Sequence, residues 1–144
     1  MKSKILVING PNLNMLGKRP KEHYGTKTLA EINNMIKEEA KGSFSLIFFQ
    51  SNYEGAIVSK IQEAIKKDIK AIVINPGAYT HTSVAIHDAL EMYNGEKVEV
   101  HLSDVDNRDD FRKVNFVRDV CTHTVSGLKE NSYTEAIKYL KKVL

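Results

Sequence analysis

Hydrogen-bonding side chains stand at the ends of several apolar runs in this sequence. Four runs end in an amide or imidazole side chain: Asn9, Gln50, Asn75 and His101. The loops that follow them add further polar side chains, namely Asn12, His81 and Ser103. Imidazole moves protons near neutral pH, and amides and hydroxyls hold hydroxyl or carboxylate groups. Together with nearby tyrosine and arginine, this set predicts proton transfer on a small molecule that carries hydroxyl or carboxyl groups.

The connections between the opposite ends of these runs carry no comparable set. The segments around Gly42, from 67 to 70 and from 94 to 96 contain small, charged or turn-forming residues. Asparagine and glycine form turns without binding anything, but that role does not account for His81 and His101. The asymmetry favours a ligand site at one end of the runs.

The apolar runs predict strands that alternate with helices. The strands are Lys4–Asn9, Phe44–Gln50, Ala71–Asn75, Lys97–His101 and the weaker Cys121–Val125. The first three are nearly continuous apolar runs, as in strands covered on both faces. The alternation predicts an α/β fold with a parallel sheet between two helix layers, in the flavodoxin-like order 2-1-3-4-5. Ligands bind at the carboxyl edge of such a sheet, so we expect the polar groups to converge there.

Four apolar stripes at helical spacing lie between the strands. They cover Leu29–Ala40, Ile57–Ile65, Ile86–Tyr93 and Tyr133–Leu144. Three of them have an N-terminal capping sequence: Thr28-x-x-Glu31, Ser51-x-x-Glu54 and Ser132-x-x-Glu135. We therefore predict that these sequences start helices.

Composition places the chain among ordinary globular proteins. Its 144 residues are 42% hydrophobic and 27% charged, so we expect one domain over residues 1–144. The net charge of +3 is spread along the chain, and no nucleic-acid motif accompanies it. The single Cys121 and the lack of a long apolar segment predict a cytoplasmic protein without disulfides or a membrane span.

Common cofactor motifs are missing from the sequence. The chain has neither G-x-G-x-x-G nor a P-loop, and its five histidines show no metal-ligand spacing. We therefore expect no cofactor and no metal, a zinc site built from scattered residues being the minor alternative. Cys121 begins a predicted strand and is expected to be a core thiol rather than a nucleophile.

Four segments form a combination that is far more specific than any one of them. The first is NGPNLNMLGxRxxxxYG over 9–25, and the second is QSNxEG over 50–55. The third is INPGAYTHTS over 74–83, followed by DAL at 88–90. The fourth is VEVHLS over 98–103, followed by Arg108 and by FR at 111–112. In order and spacing they resemble the type II 3-dehydroquinate dehydratases over nearly the whole chain. The resemblance implies anti elimination of water from 3-dehydroquinate, giving 3-dehydroshikimate through an enolate without any cofactor.

The resemblance also implies a role for six residues. Tyr24 matches the general base, and Arg19 and Arg108 match arginines beside it. A phenolate is scarce at neutral pH, and nearby positive charge favours it. His101 matches the general acid, and Glu99 matches the carboxylate that orients it. Asn12 matches the group that holds a water against the enolate oxygen.

Six further residues match contacts to the substrate. Within one subunit these are Asn75, His81, Leu102, Ser103 and Arg112. Asp88 lies about 200° around its helix from the core residue Ile86. It matches a contact into a neighbouring active site, in trimers that assemble into dodecamers.

The chain departs from the family pattern at a few positions that bear no assigned role. These are Pro20–Glu22, Tyr53, Asp104 and 113–116. They affect the expected lid motion and affinity rather than the reaction. Two other functions stay open from the residues alone, a flavodoxin-type electron carrier and a non-catalytic binding or receiver domain. The first loop lacks a phosphate cradle, and Asn9 and Asn12 stand where a receiver needs acids.

Overall fold

One parallel sheet forms the centre of the computed structural model, which describes residues 1–144. Its strands are β1 (Ser3–Asn9), β2 (Phe44–Gln50), β3 (Ala71–Asn75), β4 (Glu96–His101) and β5 (His123–Ser126). They lie in the order β2-β1-β3-β4-β5, and every neighbouring pair is parallel. The predicted α/β fold and strand order are confirmed.

Two helix layers cover the sheet. The helices are α1 (Lys21–Tyr24), α2 (Leu29–Ala40), α3 (Glu54–Lys66), α4 (Val84–Met92) and α5 (Asn131–Val143). Successive side chains of a strand point to opposite faces, so Val7 packs with α2 and α5 while Leu6 packs with α3 and α4. None of the helices has the length and apolar character needed to cross a membrane.

The capping sequences perform different tasks in the structure. At α2, the Thr28 side chain accepts from the Glu31 backbone N–H at 3.2 Å, and Glu31 accepts from the Thr28 N–H at 3.0 Å, so this cap is confirmed. The caps predicted from Ser51 and Ser132 are wrong. The Ser51 hydroxyl accepts from the N–H only two residues ahead, at 3.0 Å. Ser132 lies inside α5 and accepts from the Leu128 N–H at 3.1 Å, holding the preceding loop.

The fifth strand starts two residues later than predicted. The backbone turns at Arg118–Val120, and the Cys121 N–H bonds back to the Arg118 carbonyl at 3.1 Å. Strand geometry therefore begins only at His123. Cys121 packs, partly buried, against the apolar residues of the α3 and α4 side. Burial raises the pKa of its thiol to about 12, so the thiol is neutral and unreactive at neutral pH.

A tyrosine of α5 ties the ends of the central strands together. Asn9 and Asn75 stand side by side in the register of β1 and β3. The buried Tyr133 hydroxyl donates to the Asn9 carboxamide and accepts from the Asn75 amide at 3.0 Å. The following loops touch so closely that a Cβ on Gly10 would collide with the Pro76 carbonyl oxygen. The carboxyl edge of the sheet is thereby held in one arrangement.

Candidate active site

A cavity lies at the carboxyl edge of the sheet, where the predicted polar residues meet. Fifteen residues line it, and ten of the twelve predicted site residues are among them: Asn12, Arg19, Tyr24, Asn75, His81, His101, Leu102, Ser103, Arg108 and Arg112. Glu99 lies directly behind His101, and Asp88 lies elsewhere. The strand ends therefore converge on one mostly polar site.

The phenol of Tyr24 is held between two arginines. Tyr24 ends the single turn α1 and is only 7% exposed. The Arg108 Nη1 donates to the phenol oxygen at 2.7 Å, and the Arg19 guanidinium carbon lies 3.6 Å from the ring centroid. Two cationic side chains therefore lie against this one phenol. The contact joins residues 84 positions apart in sequence.

His101 and Glu99 form a buried pair on β4. Residues two apart on a strand point to the same face, and here both side chains are almost inaccessible, at 4% and 0% exposure. The His101 Nε2 donates to Glu99 Oε2 at 2.6 Å. The other ring nitrogen makes no hydrogen bond in the structure, and the imidazole lines the cavity. The pair can therefore present a proton to a bound molecule.

Three residues that sequence analysis did not single out complete the surroundings of Glu99. Glu99 Oε1 accepts from Arg118 Nε at 3.0 Å and from the Thr124 hydroxyl at 2.9 Å, and Oε2 accepts from Asn115 Nδ2 at 2.6 Å. Thr124 pairs with Glu99 in the register of β4 and β5, so a correct register would have indicated it. The loop that carries Asn115 and Arg118 has no periodic signal in the sequence.

These partners change the ionisation of Glu99. Burial acts to raise the pKa of the carboxyl. The hydrogen bond and charge of His101 and the hydrogen bonds from Asn115 and Arg118 oppose it, and lower the pKa from 4.5 to about 2. Glu99 is therefore a carboxylate throughout the neutral range.

We predict a loss of stability in acid that depends on Glu99. Its folded pKa is depressed, so its contribution is complete above pH ~4.5 and disappears as the pH falls towards ~2. The shift from 4.5 to about 2 corresponds to about 3 kcal/mol of unfolding free energy. The free energy of unfolding should be measured with urea at several pH values between 6 and 2.5, at fixed protein concentration. In the wild type it should fall with pH by this amount, and in Glu99→Gln its slope against pH should be shallower. Equal slopes would contradict the prediction, and the exposed Glu135→Gln serves as control.

His81 faces the cavity from the loop after β3. Its Nδ1 donates to the Val114 carbonyl at 2.6 Å. Burial lowers the pKa of His81; this backbone hydrogen bond opposes that effect, while the nearby charges of His101, Arg112 and Arg108 add to it. The ring is consequently neutral at neutral pH, and its Nε2 is an acceptor. That nitrogen suits a substrate hydroxyl.

The two asparagines at the cavity differ in how many side-chain hydrogen-bonding groups they leave free for a ligand. Asn12 adopts a left-handed backbone with φ 70°, and its N–H donates to Asn52 Oδ1 at 3.1 Å. The Asn12 side chain makes no hydrogen bond within the protein and is free for a ligand or a water. The Asn75 carboxamide instead donates to Tyr133 at 3.0 Å and accepts from the Gly77 N–H at 3.1 Å. Asn75 therefore shapes the cavity wall and keeps one amide N–H for the predicted contact to a ligand.

The loop after β4 supplies the remaining groups. The carbonyls of Leu102 and Ser103 accept from the N–H groups of Lys129 and Gly127 at 2.9 and 3.2 Å, which holds this loop in place. The Arg112 guanidinium is held loosely by Asp109, with Nε 3.4 Å from Oδ2. Its planar fork suits a carboxylate.

Asp88 does not come to the cavity of its own chain. Its side chain is 66% exposed on α4, with His87 Nδ1 3.0 Å from its Oδ1. No three histidine, cysteine, aspartate or glutamate side chains lie close enough together to hold a metal ion.

Comparison with known proteins agrees with the fold. Residues 3–141 match the model of the family described as dehydroquinase class II. The 3-dehydroquinate dehydratase of Clostridium beijerinckii is 49% identical over 139 residues, which cover 96% of this chain and 95% of that protein. The crystal structure of the type II dehydroquinase from Butyrivibrio crossotus has a TM-score of 0.93 and 46% identity, covering 97% of this chain and 98% of its own. The enzyme from Propionibacterium acnes has the same TM-score at 33% identity, covering 99% and 98%. The chain belongs to the class II dehydroquinase family.

Proposed function

We propose that this chain eliminates water from 3-dehydroquinate to give 3-dehydroshikimate, with Tyr24 as general base and His101 as general acid. The observation that carries the proposal is the Tyr24 phenol, which receives a hydrogen bond from Arg108 at 2.7 Å in the cavity that His101 also lines. A base between two arginines and an acid backed by a carboxylate share one site, as an elimination requires.

The first step removes the proton next to the ketone. The Tyr24 phenolate takes this proton, and the electron pair of the C–H bond moves to the carbonyl oxygen, forming an enolate. Arg108 donates to the Tyr24 oxygen at 2.7 Å and Arg19 stacks on its ring, so both arginines hold the base in place. A water held by the free side chain of Asn12 donates a hydrogen bond to the enolate oxygen, where the negative charge develops.

The second step releases water on the opposite side of the ring, as an anti elimination demands. The enolate electrons re-form the ketone and create the new carbon–carbon double bond, and the C–O bond breaks. His101 gives its proton to the departing hydroxyl, which leaves as water. Glu99 remains a carboxylate and keeps the imidazole oriented. Exchange with solvent then returns Tyr24 and His101 to their starting protonation states.

We also propose how the chain binds its substrate and assembles. His81 accepts from a substrate hydroxyl, Ser103 and Leu102 offer backbone groups, and Arg112 pairs with the carboxylate. Asp88 is exposed and outside its own cavity, which supports a contact into a neighbouring site within trimers that build a dodecamer. We place the enzyme in the cytoplasm, in aromatic biosynthesis or quinate breakdown.

The decisive experiment incubates the protein with 3-dehydroquinate and follows the ultraviolet absorption of the conjugated product. We expect turnover that survives a metal chelator and treatment with borohydride, since the proposed chemistry uses neither a metal nor a lysine Schiff base. Absence of product from folded protein would refute the function. Inactivation by borohydride in the presence of substrate would refute the mechanism instead.

A further inference from the structure

Arg118 holds Glu99 on the side away from His101. It begins the turn between 118 and 120, and its Nε donates to Glu99 Oε1 at 3.0 Å. Its Nη1 reaches Asp106 Oδ2 at 3.2 Å, while its Nη2 is buried without a hydrogen-bond partner. Asn115 fixes the start of this turn, because its Oδ1 accepts from the backbone N–H of Arg118 at 2.9 Å. The guanidinium is thus anchored beside the carboxylate.

Glu99 is shared between two sets of donors. One oxygen serves Arg118 and Thr124, and the other serves His101 and Asn115. An ionised carboxylate has about four acceptor positions, so four donors leave none unused. The negative charge of Glu99 therefore interacts with two cations, the His101 imidazolium and the Arg118 guanidinium.

We infer that Arg118 is a positioning residue that, through Glu99, sets how strongly His101 holds its proton. The inference rests on the proposed function only for the catalytic meaning of that proton. A bare buried carboxylate would bind the imidazolium tightly and make it a poor acid. A guanidinium at the opposite oxygen reduces this attraction. It also keeps Glu99 ionised, so that the carboxylate does not take the proton itself.

The other charged or titratable groups around His101 come from several elements. The arginines of the cavity, Tyr24 and neutral His81 lie on the ligand side, and the neutral thiol of Cys121 lies near Glu99 on the side of β5. The charged or titratable groups around the pair are Arg19, Tyr24, His81, Glu99, Asp106, Arg108, Arg112, Arg118 and Cys121. Apart from His101, Arg118 is the one basic side chain that bonds to Glu99, and it is about one-third exposed.

The test compares the variant Arg118→Met with the wild type and with two matched variants. Arg118→Lys keeps the charge, and Lys113→Met removes one charge from the same loop at an exposed side chain that pairs with Asp110 rather than Glu99. The titration of the His101 imidazole is followed by NMR with labelled histidine, assigned with His101→Asn. The pH profile of kcat is measured in parallel.

In Arg118→Met we expect the His101 titration midpoint to rise by about one pH unit. The alkaline limb of kcat should move up with it, because His101 must be protonated to act. At neutral pH, kcat should fall about three- to tenfold, since a weaker acid transfers its proton less readily. Arg118→Lys should return most of the wild-type midpoint, and Lys113→Met should match the wild type in both measurements.

An unchanged His101 midpoint in folded Arg118→Met would overturn the inference, as would an equal rise in Lys113→Met. If Arg118→Met does not fold, Asp106→Asn decides. Asp106 is half exposed, and losing its charge leaves Arg118 more positive towards Glu99. The midpoint should then fall by about 0.3 unit, and an unchanged value overturns the inference. The NMR result needs no substrate, so a shifted midpoint in a protein without turnover would refute the proposed function alone.

Discussion

Tyr24→Phe should lower kcat for 3-dehydroquinate by about 10³- to 10⁴-fold, the upper part of the range for loss of a general base. The substitution removes one oxygen, which is the atom that Arg108 contacts at 2.7 Å. Without it, no group between the two arginines can take the proton next to the ketone. KM should change by no more than about threefold, because the phenol is needed for the transition state rather than for ground-state binding.

Several features make this variant a clean test. Phenylalanine keeps the ring on which Arg19 stacks at 3.6 Å, so the loop should stay in place and the melting temperature should change little. Tyr53→Phe is the matched control, because Tyr53 is 77% exposed and does not line the cavity. Near wild-type activity in folded Tyr24→Phe would show that another group is the base.

His101→Asn should lower kcat by about 10²- to 10³-fold. Without the imidazolium the hydroxyl must leave as hydroxide, which is a far poorer leaving group than water. Asparagine retains a polar side chain that can donate to the buried Glu99, so the variant avoids leaving that carboxylate without its partner. His123→Asn is the control, since His123 lies on β5 outside the cavity, stacked on Tyr139.

Solvent exchange separates the two roles. In deuterium oxide, His101→Asn should still exchange the proton next to the ketone, because Tyr24 forms the enolate and reprotonates it faster than water leaves. Tyr24→Phe should show neither exchange nor elimination. Exchange in Tyr24→Phe together with none in His101→Asn would reverse the two assignments. Both variants use the same substrate and detection, so the comparison is internal.

The local pattern of residues predicts much of the fold. Apolar runs of four to seven residues with helical stripes between them leave a layered parallel sheet as the arrangement that buries both, and the structure has that sheet. The start of α2 follows from Thr28 and Glu31 because a capping box involves only neighbouring residues. Ser51 and Ser132 carry the same signature, but their hydroxyls bond to other backbone groups nearby. Sequence alone does not show which of these competing bonds forms.

Sequence by itself also indicated that the polar residues at and after the strand ends meet at one cavity, because the ends of parallel strands share one edge. The family resemblance, rather than this geometry, added Tyr24 and the arginines to it. Only the tertiary structure decided what stands behind the cavity residues. Tyr133 joins Asn9 to Asn75, and Arg118 and Asn115 bind Glu99. These contacts depend on the path of an irregular loop and on how α5 docks against the sheet. Neither leaves a periodic trace in the sequence, since one long-range hydrogen bond constrains a single residue rather than a pattern.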